Sequence, residues 1–150
     1  MKKYIIFILV MFSCNSIKVD YSAAERNSGM DYIVLRSVTV TPESEQIRAS
    51  FKSNLLFELY SNNIPVKDIA SLQEELNPRY YSDVEIVINR ESGYNPDEYF
   101  TVIYSIYDKD LSKNILSVRL SAKNRPLEDS SVQKSLCGTI ALKTAGFLYE

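Results

Sequence analysis

The order of elements legible in this sequence predicts an α+β fold. Two helices cover one face of a mostly antiparallel four-stranded sheet, a two-layer sandwich in the order β-α-β-β-β-α. Three observations lead there. Apolar residues recur at helical spacing in two segments, 47–60 and 132–148. Apolar and polar residues alternate with the period of a strand around 84–88, 99–107 and 116–122. A β-branched run at 31–40 precedes the first helix. Helices with one apolar face and strands with one richer face must bury those faces against each other, and two layers suffice.

The first strand is "DYIVLRSVTV", Asp31 to Val40. Simple alternation puts Val34, Val38 and Val40 on one face with Arg36, and Ile33, Leu35, Ser37 and Thr39 on the other. Thr41 is placed to cap the helix that follows, Pro42 suits its first position, and Glu43 and Glu45 favour its dipole. Ile47, Phe51, Leu55, Leu56, Leu59 and Tyr60 form its apolar stripe, and Asn62-Asn63 stop it. Ile64 to Val66 reads as a short edge strand, where Pro65 is tolerated. Ser71 to Leu76 reads as a short helix ended by Asn77-Pro78.

Val84, Ile86 and Ile88 give the strongest strand signal, and "ESGYNPDE" follows as a loop. Phe100, Val102, Tyr104 and Ile106 then alternate with Tyr99, Thr101, Ile103, Ser105 and Tyr107. "DKDLSKN" turns the chain into a strand with Leu116, Val118, Leu120 and Ala122 on its inner face. Ser130 with Gln133 fits a capping box. Val132, Leu136, Cys137, Ile140, Ala141, Thr144, Phe147 and Leu148 form the buried stripe of the last helix.

The chain is 150 residues long, enough for one domain with a real core. Hydrophobic residues at 45% set it apart from disordered chains, and a net charge of −2 offers nucleic acid no basic field. There is no histidine, which removes the commonest metal ligand and the commonest general base. With four glycines in all, no phosphate-cradling loop or nucleophile elbow can be assembled from the sequence. Asp108-Lys109-Asp110-Leu111-Ser112 opens like a calcium loop, but Lys113 stands where glycine is needed and Arg119 where the bidentate glutamate belongs. A hairpin turn is the better reading of that segment. The expectation is a protein that is not an enzyme and takes no cofactor or metal.

The N-terminus carries the clearest chemistry. Lys2-Lys3 precede the apolar run Tyr4 to Phe12, which ends at Ser13-Cys14. A spanning helix needs about 20 apolar residues, so nine are too few. A positive start, a short apolar core and a small residue at the end describe an export signal. "Val10-Met11-Phe12-Ser13-Cys14" resembles a bacterial lipoprotein signal, although Met11 and Phe12 depart from the usual Leu-Ala/Ser-Gly/Ala-Cys pattern. The resemblance implies cleavage after Ser13 and a lipid on the Cys14 thiol. Two or three acyl chains, at about 0.8 kcal/mol per buried CH₂, would hold the protein firmly to a membrane. By the same family rule Asn15 implies the outer membrane, with the domain facing the periplasm or the cell surface. An ordinary cleavable signal with Cys14 near the cut is the alternative. Cys137 would then be the remaining thiol, read as a buried small hydrophobe.

On this reading residues 1–13 are a cleaved signal, 14–30 a lipidated N-terminus and flexible tether, and 31–150 a single domain. Six tyrosines lie between positions 80 and 107, which suggests one binding surface. Tyr99, Ile103 and Tyr107 share the strand face opposite the helices and would form a docking stripe. The plainer explanation is that tyrosine favours strands and forms cross-strand pairs. In hairpin rhythm and element order, "YSDVEIVINRES" through "LSVRLSA" and the last helix resemble curli-secretion and peptidoglycan-synthase-activator lipoproteins. The layout is also similar to the lipopolysaccharide-assembly lipoprotein. That resemblance implies a lipid-anchored envelope protein, without catalysis, which binds or helps assemble another envelope component. A binding module for a small or lipidic ligand between sheet and helices is the alternative.

Overall fold

The computed structural model describes residues 17–24, 30–72, 77–91, 93–94 and 97–149. Ser13 and Cys14, with the signal segment, lie outside these residues, as does most of the short helix expected at 71–76. The described chain runs β1 (Lys18–Ala23), β2 (Ile33–Thr41), α1 (Glu45–Ser61), β3 (Val66–Asp68), a 3-10 turn (Ile69–Ser71), β4 (Tyr80–Arg90), β5 (Glu98–Asp108), β6 (Lys113–Lys123) and α2 (Ser130–Tyr149). The class is α+β with two helices, as expected. The sheet, however, has six strands, in the order β1-β6-β5-β4-β2-β3.

It is mixed: three of its five pairings are antiparallel, as most were expected to be, and two are parallel. β1, β6, β5 and β4 pair antiparallel, whereas β2 lies parallel to both β4 and β3. The cause is α1, a crossover long enough to return the chain to the same end of the sheet. The two additional strands occupy the edges. β3 takes the place of the expected edge strand at 64–66. β1 falls in the segment expected as a tether: all six of its residues are exposed, so it carries no burial pattern and is held by pairing with β6.

The α1 stripe is buried as its spacing requires, with Ile47, Phe51, Leu55 and Leu59 inside. Its cap is Ser44, whose hydroxyl accepts from the Ile47 N–H at 3.3 Å. Thr41 instead ends β2 opposite Val87, which keeps it in the sheet. Asn63 takes the left-handed conformation that ends the helix, at φ 57°. In α2 the eight expected residues are all buried, and Gln133 with them. Gln133 is not a capping residue. It donates to the Leu127 carbonyl at 2.8 Å and accepts from Asn54 of α1 at 3.0 Å, which ties the helices together. Asp129 caps instead, accepting from the Ser131 N–H at 2.8 Å.

A second correction concerns β2. The pairing of β2 with β4 shifts between Leu35 and Ser37, so Arg36 is an inserted bulge residue. The bulge reverses the alternation. Ile33 and Leu35 before it, and Val38 and Val40 after it, all join the core. Both helices lie on this face, α1 packing on β2 and β3 and α2 on β6, and on each other. Phe51, Leu55, Phe100, Tyr104, Leu120 and Ile140 are all within 1% of complete burial. Each such side chain contributes about 1.5–3 kcal/mol through its transfer from water.

Asp108, at the end of β5, fixes the hairpin. Its buried carboxylate accepts the N–H groups of Asp110 (2.9 Å) and Leu111 (3.2 Å). The Arg79 guanidinium grips it from outside at 3.2 and 2.9 Å. That hydrogen bond, above all, holds the Asp108 carboxyl below the usual carboxylate range.

Candidate docking surface

Alternation along β5 sends Phe100, Val102, Tyr104 and Ile106 under the helices and leaves Tyr99, Thr101, Ile103, Ser105 and Tyr107 on the other side. The three residues expected as a stripe therefore share the face that lies opposite α1 and α2, the helices among the described residues. All three are half-buried rather than free. Their neighbours follow from the register. Tyr99 sits between Asn89 and Lys123, Ile103 between Glu85 and Arg119, and Tyr107 between Tyr81 and Asn114. Thr101 and Ser105 separate the three, so the surface is a set of apolar islands in a polar field.

Each tyrosine end of this face holds a cation. The Lys123 ammonium lies 4.9 Å from the Tyr99 ring centroid and pairs with Asp97. The hydrogen bond to Asp97 raises the Lys123 pKa, and its counterpart lowers that of Asp97. At the other end the Arg36 guanidinium lies 5.2 Å from the Tyr81 ring centroid and forks onto Asp83 at 3.1 and 2.5 Å. The Ser37 hydroxyl donates to the same carboxylate at 2.7 Å. Burial works to raise the Asp83 pKa, but hydrogen bonds from Arg36 and Ser37 outweigh it and leave the carboxyl below its ordinary range. The β2 bulge makes this possible, because it brings two consecutive residues within reach of one carboxylate.

The Arg36–Asp83–Tyr81 group was not visible as a site from the sequence. Its signal was the pair Arg36-Ser37, two polar residues in succession inside an apolar strand. Tyr81 and Tyr107 are direct cross-strand partners, the arrangement that the plainer explanation of the tyrosines requires. Tyrosines with cations on their rings, flanked by paired charges, make a surface able to bind by ring contact and hydrogen bonding. Cys137 is buried in the other layer, and its burial pushes the thiol pKa up. Among the described residues no cluster of acids and thiols could hold a metal, and no helix is long and apolar enough to cross a membrane.

Among the clefts lined by described residues are two at the margins of the domain. One, of about 210 Å³, opens at the rim where α1 begins, between Ser44, Ile47, Ile88 and Arg90. The other, of about 240 Å³, runs along the ends of β1 and β6 between Ala23 and Asn114.

No family model matches the chain, and no curated protein matches it. Among solved structures the fold is similar to the PelC dodecamer from Paraburkholderia phytofirmans. In one crystal form the TM-score is 0.64 at 16% identity, covering 90% of this chain and 100% of that one. In a second form the TM-score is 0.59 at 16% identity, covering 87% and 97%. These two likenesses show a shared fold. Lipoproteins are also among the similar structures, including a minor lipoprotein from Acinetobacter baumannii with TM-score 0.43 and 12% identity, covering 74% of this chain and 91% of that one. A likeness that distant carries no argument about function.

Proposed function

We propose that this chain is a lipid-anchored protein of the bacterial outer membrane, facing the periplasm, which works by binding another envelope component rather than by catalysis. The observation that carries the reading is a division along the chain. Residues 2–14 have the order of a lipoprotein signal, with cleavage at Ser13 and attachment at Cys14, and the domain has a broad tyrosine-bearing sheet face on the side opposite α1 and α2. Tyr99, Ile103 and Tyr107 are the first residues of that face to test. PelC from P. phytofirmans forms a dodecamer. Copies of this chain are therefore the first partner to look for, ahead of a different envelope protein.

The alternative, a small or lipidic ligand held between sheet and helices, has less support. The described side chains in that layer form one closely buried cluster.

Intact-mass spectrometry of the protein extracted from membranes, beside Cys14→Ala, tests the anchor. A diacylglyceryl-bearing mass lost in the variant is expected, and a mass matching unmodified residues 14–150 overturns it. A photo-crosslinker at Ile103 tests the face. A crosslinked product that disappears on combining Tyr99→Ser with Tyr107→Ser is expected. An unchanged product in a folded variant removes these residues from the surface.

A further inference from the structure

The distance from the proposed anchor to the folded domain is short. Ile17 already packs against the hydrophobic core, and Lys18 opens β1. Cys14 to Ile17 is three residue steps, a reach of about 10 Å at full extension. The register says which end of the domain is reached. Lys18 faces Ser121, Ser121 faces Thr101, Thr101 faces Val87, and Val87 faces Thr41. β1 and β5 therefore start at this end, and β2, β4 and β6 finish there. Both helices begin there too, since α1 follows Thr41 and α2 follows Lys123.

The geometry points to this end of the molecule lying against the lipid surface, with the strand ends rather than the open sheet face meeting the bilayer. The inference rests on the lipid anchor proposed above and adds what the anchor alone does not give, an orientation. The surface at this end suits the role. Tyr94, in the connection between β4 and β5, is fully exposed. A tyrosine is favoured at a membrane interface because its ring is apolar and its hydroxyl stays wet. The charges here are of both signs and substantially paired, Lys123 with Asp97 and Arg90 with Glu98. No strong field of one sign attracts this end, so the short reach from Cys14 orients it, and salt should leave it in place. The opposite end is the β5–β6 turn, where Leu111 is exposed. Along the eleven residues of β5 that is about 35 Å away.

The chain has no tryptophan, so a single introduced one reports its own position without background. Tyr94→Trp, Tyr107→Trp and Leu111→Trp are made in the full chain, extracted from membranes and reconstituted in vesicles of phosphatidylethanolamine and phosphatidylglycerol. The vesicles carry a lipid with a headgroup-level spin label as quencher. Quenching acts over a short range, so the reporter at 94 is expected to lose about half its emission, and those at 107 and 111 about a tenth. These losses should persist in about 0.5 M salt, where the Debye length is about 4 Å. Equal quenching at 94 and 111 overturns the inference, and quenching at 107 to match 94 shows the sheet face lying on the lipid and overturns it as well. An unlipidated mass fails the anchor and this inference together. A lipidated mass with even quenching fails the inference alone.

Discussion

Tyr104 and Tyr107 stand three residues apart on one strand and live in different solvents. Tyr104 points under the helices, completely buried, and its phenol pKa is pushed up to about 12 by desolvation. It faces the hydroxyls of Ser82 and Thr144, yet no hydrogen bond of good geometry satisfies it. The Thr144 hydroxyl donates to the Ile140 carbonyl instead, at 2.8 Å. Tyr107 points the other way, half-buried beside Tyr81, with water in reach. The same side chain is thus a space-filling wedge on one face and surface on the other. The helix-covered face is selected for volume, and the open face is free to be selected for recognition.

That contrast can be broken from either side. The largest effect is expected on the covered face: Phe51→Ala should cost about 3–5 kcal/mol in denaturant unfolding, since a buried aromatic leaves a cavity that the two helices cannot close. A loss near zero would mean the layers are not packed as described. Asp108→Asn should come next, lowering the melting temperature by several degrees at neutral pH. The Asp108 carboxyl is held low in the folded state, so its contribution is present above the unfolded carboxylate pKa of about 4 and is lost as pH falls through the folded value. Melting temperatures of variant and wild type should therefore converge in acid. A gap that persists at pH about 2 would assign the effect to packing.

On the open face, Tyr99→Ser with Tyr107→Ser should cost only about 1–2 kcal/mol, the sum of two cross-strand pairs at a half-wet surface. A collapse of the fold would show the face to be structural. The smallest effect belongs to Tyr104→Phe. Removing an unsatisfied buried hydroxyl while keeping the ring should leave stability within about 1 kcal/mol, or raise it. A large loss would reveal a hydrogen bond that the geometry does not contain.

Which of these features were legible before the fold was known depended on whether burial left a periodic trace. α2 did: every residue of its expected stripe is inside, because one helix face meets the sheet and the 3.6 period survives in the sequence. β5 did too, down to which tyrosines share a face. β2 misled because a single inserted residue, Arg36, reverses the phase of everything after it. β1 left no trace at all, since a strand exposed on both sides is held by backbone pairing that any side chains would permit.

The sequence by itself determined the local and the repetitive: two amphipathic helices, the alternating strands of the hairpin, the absence of histidine, and the apolar run from Tyr4 to Phe12 ahead of Ser13-Cys14. Only the tertiary structure decided the rest. It set the parallel placement of β2, the recruitment of 18–23 into the sheet, and the meeting of Arg36, Ser37 and Asp83. These depend on contacts between residues more than 40 positions apart or on backbone hydrogen bonds. Neither is written in the periodicity of any one segment, because periodicity records which side of an element is buried and not what buries it.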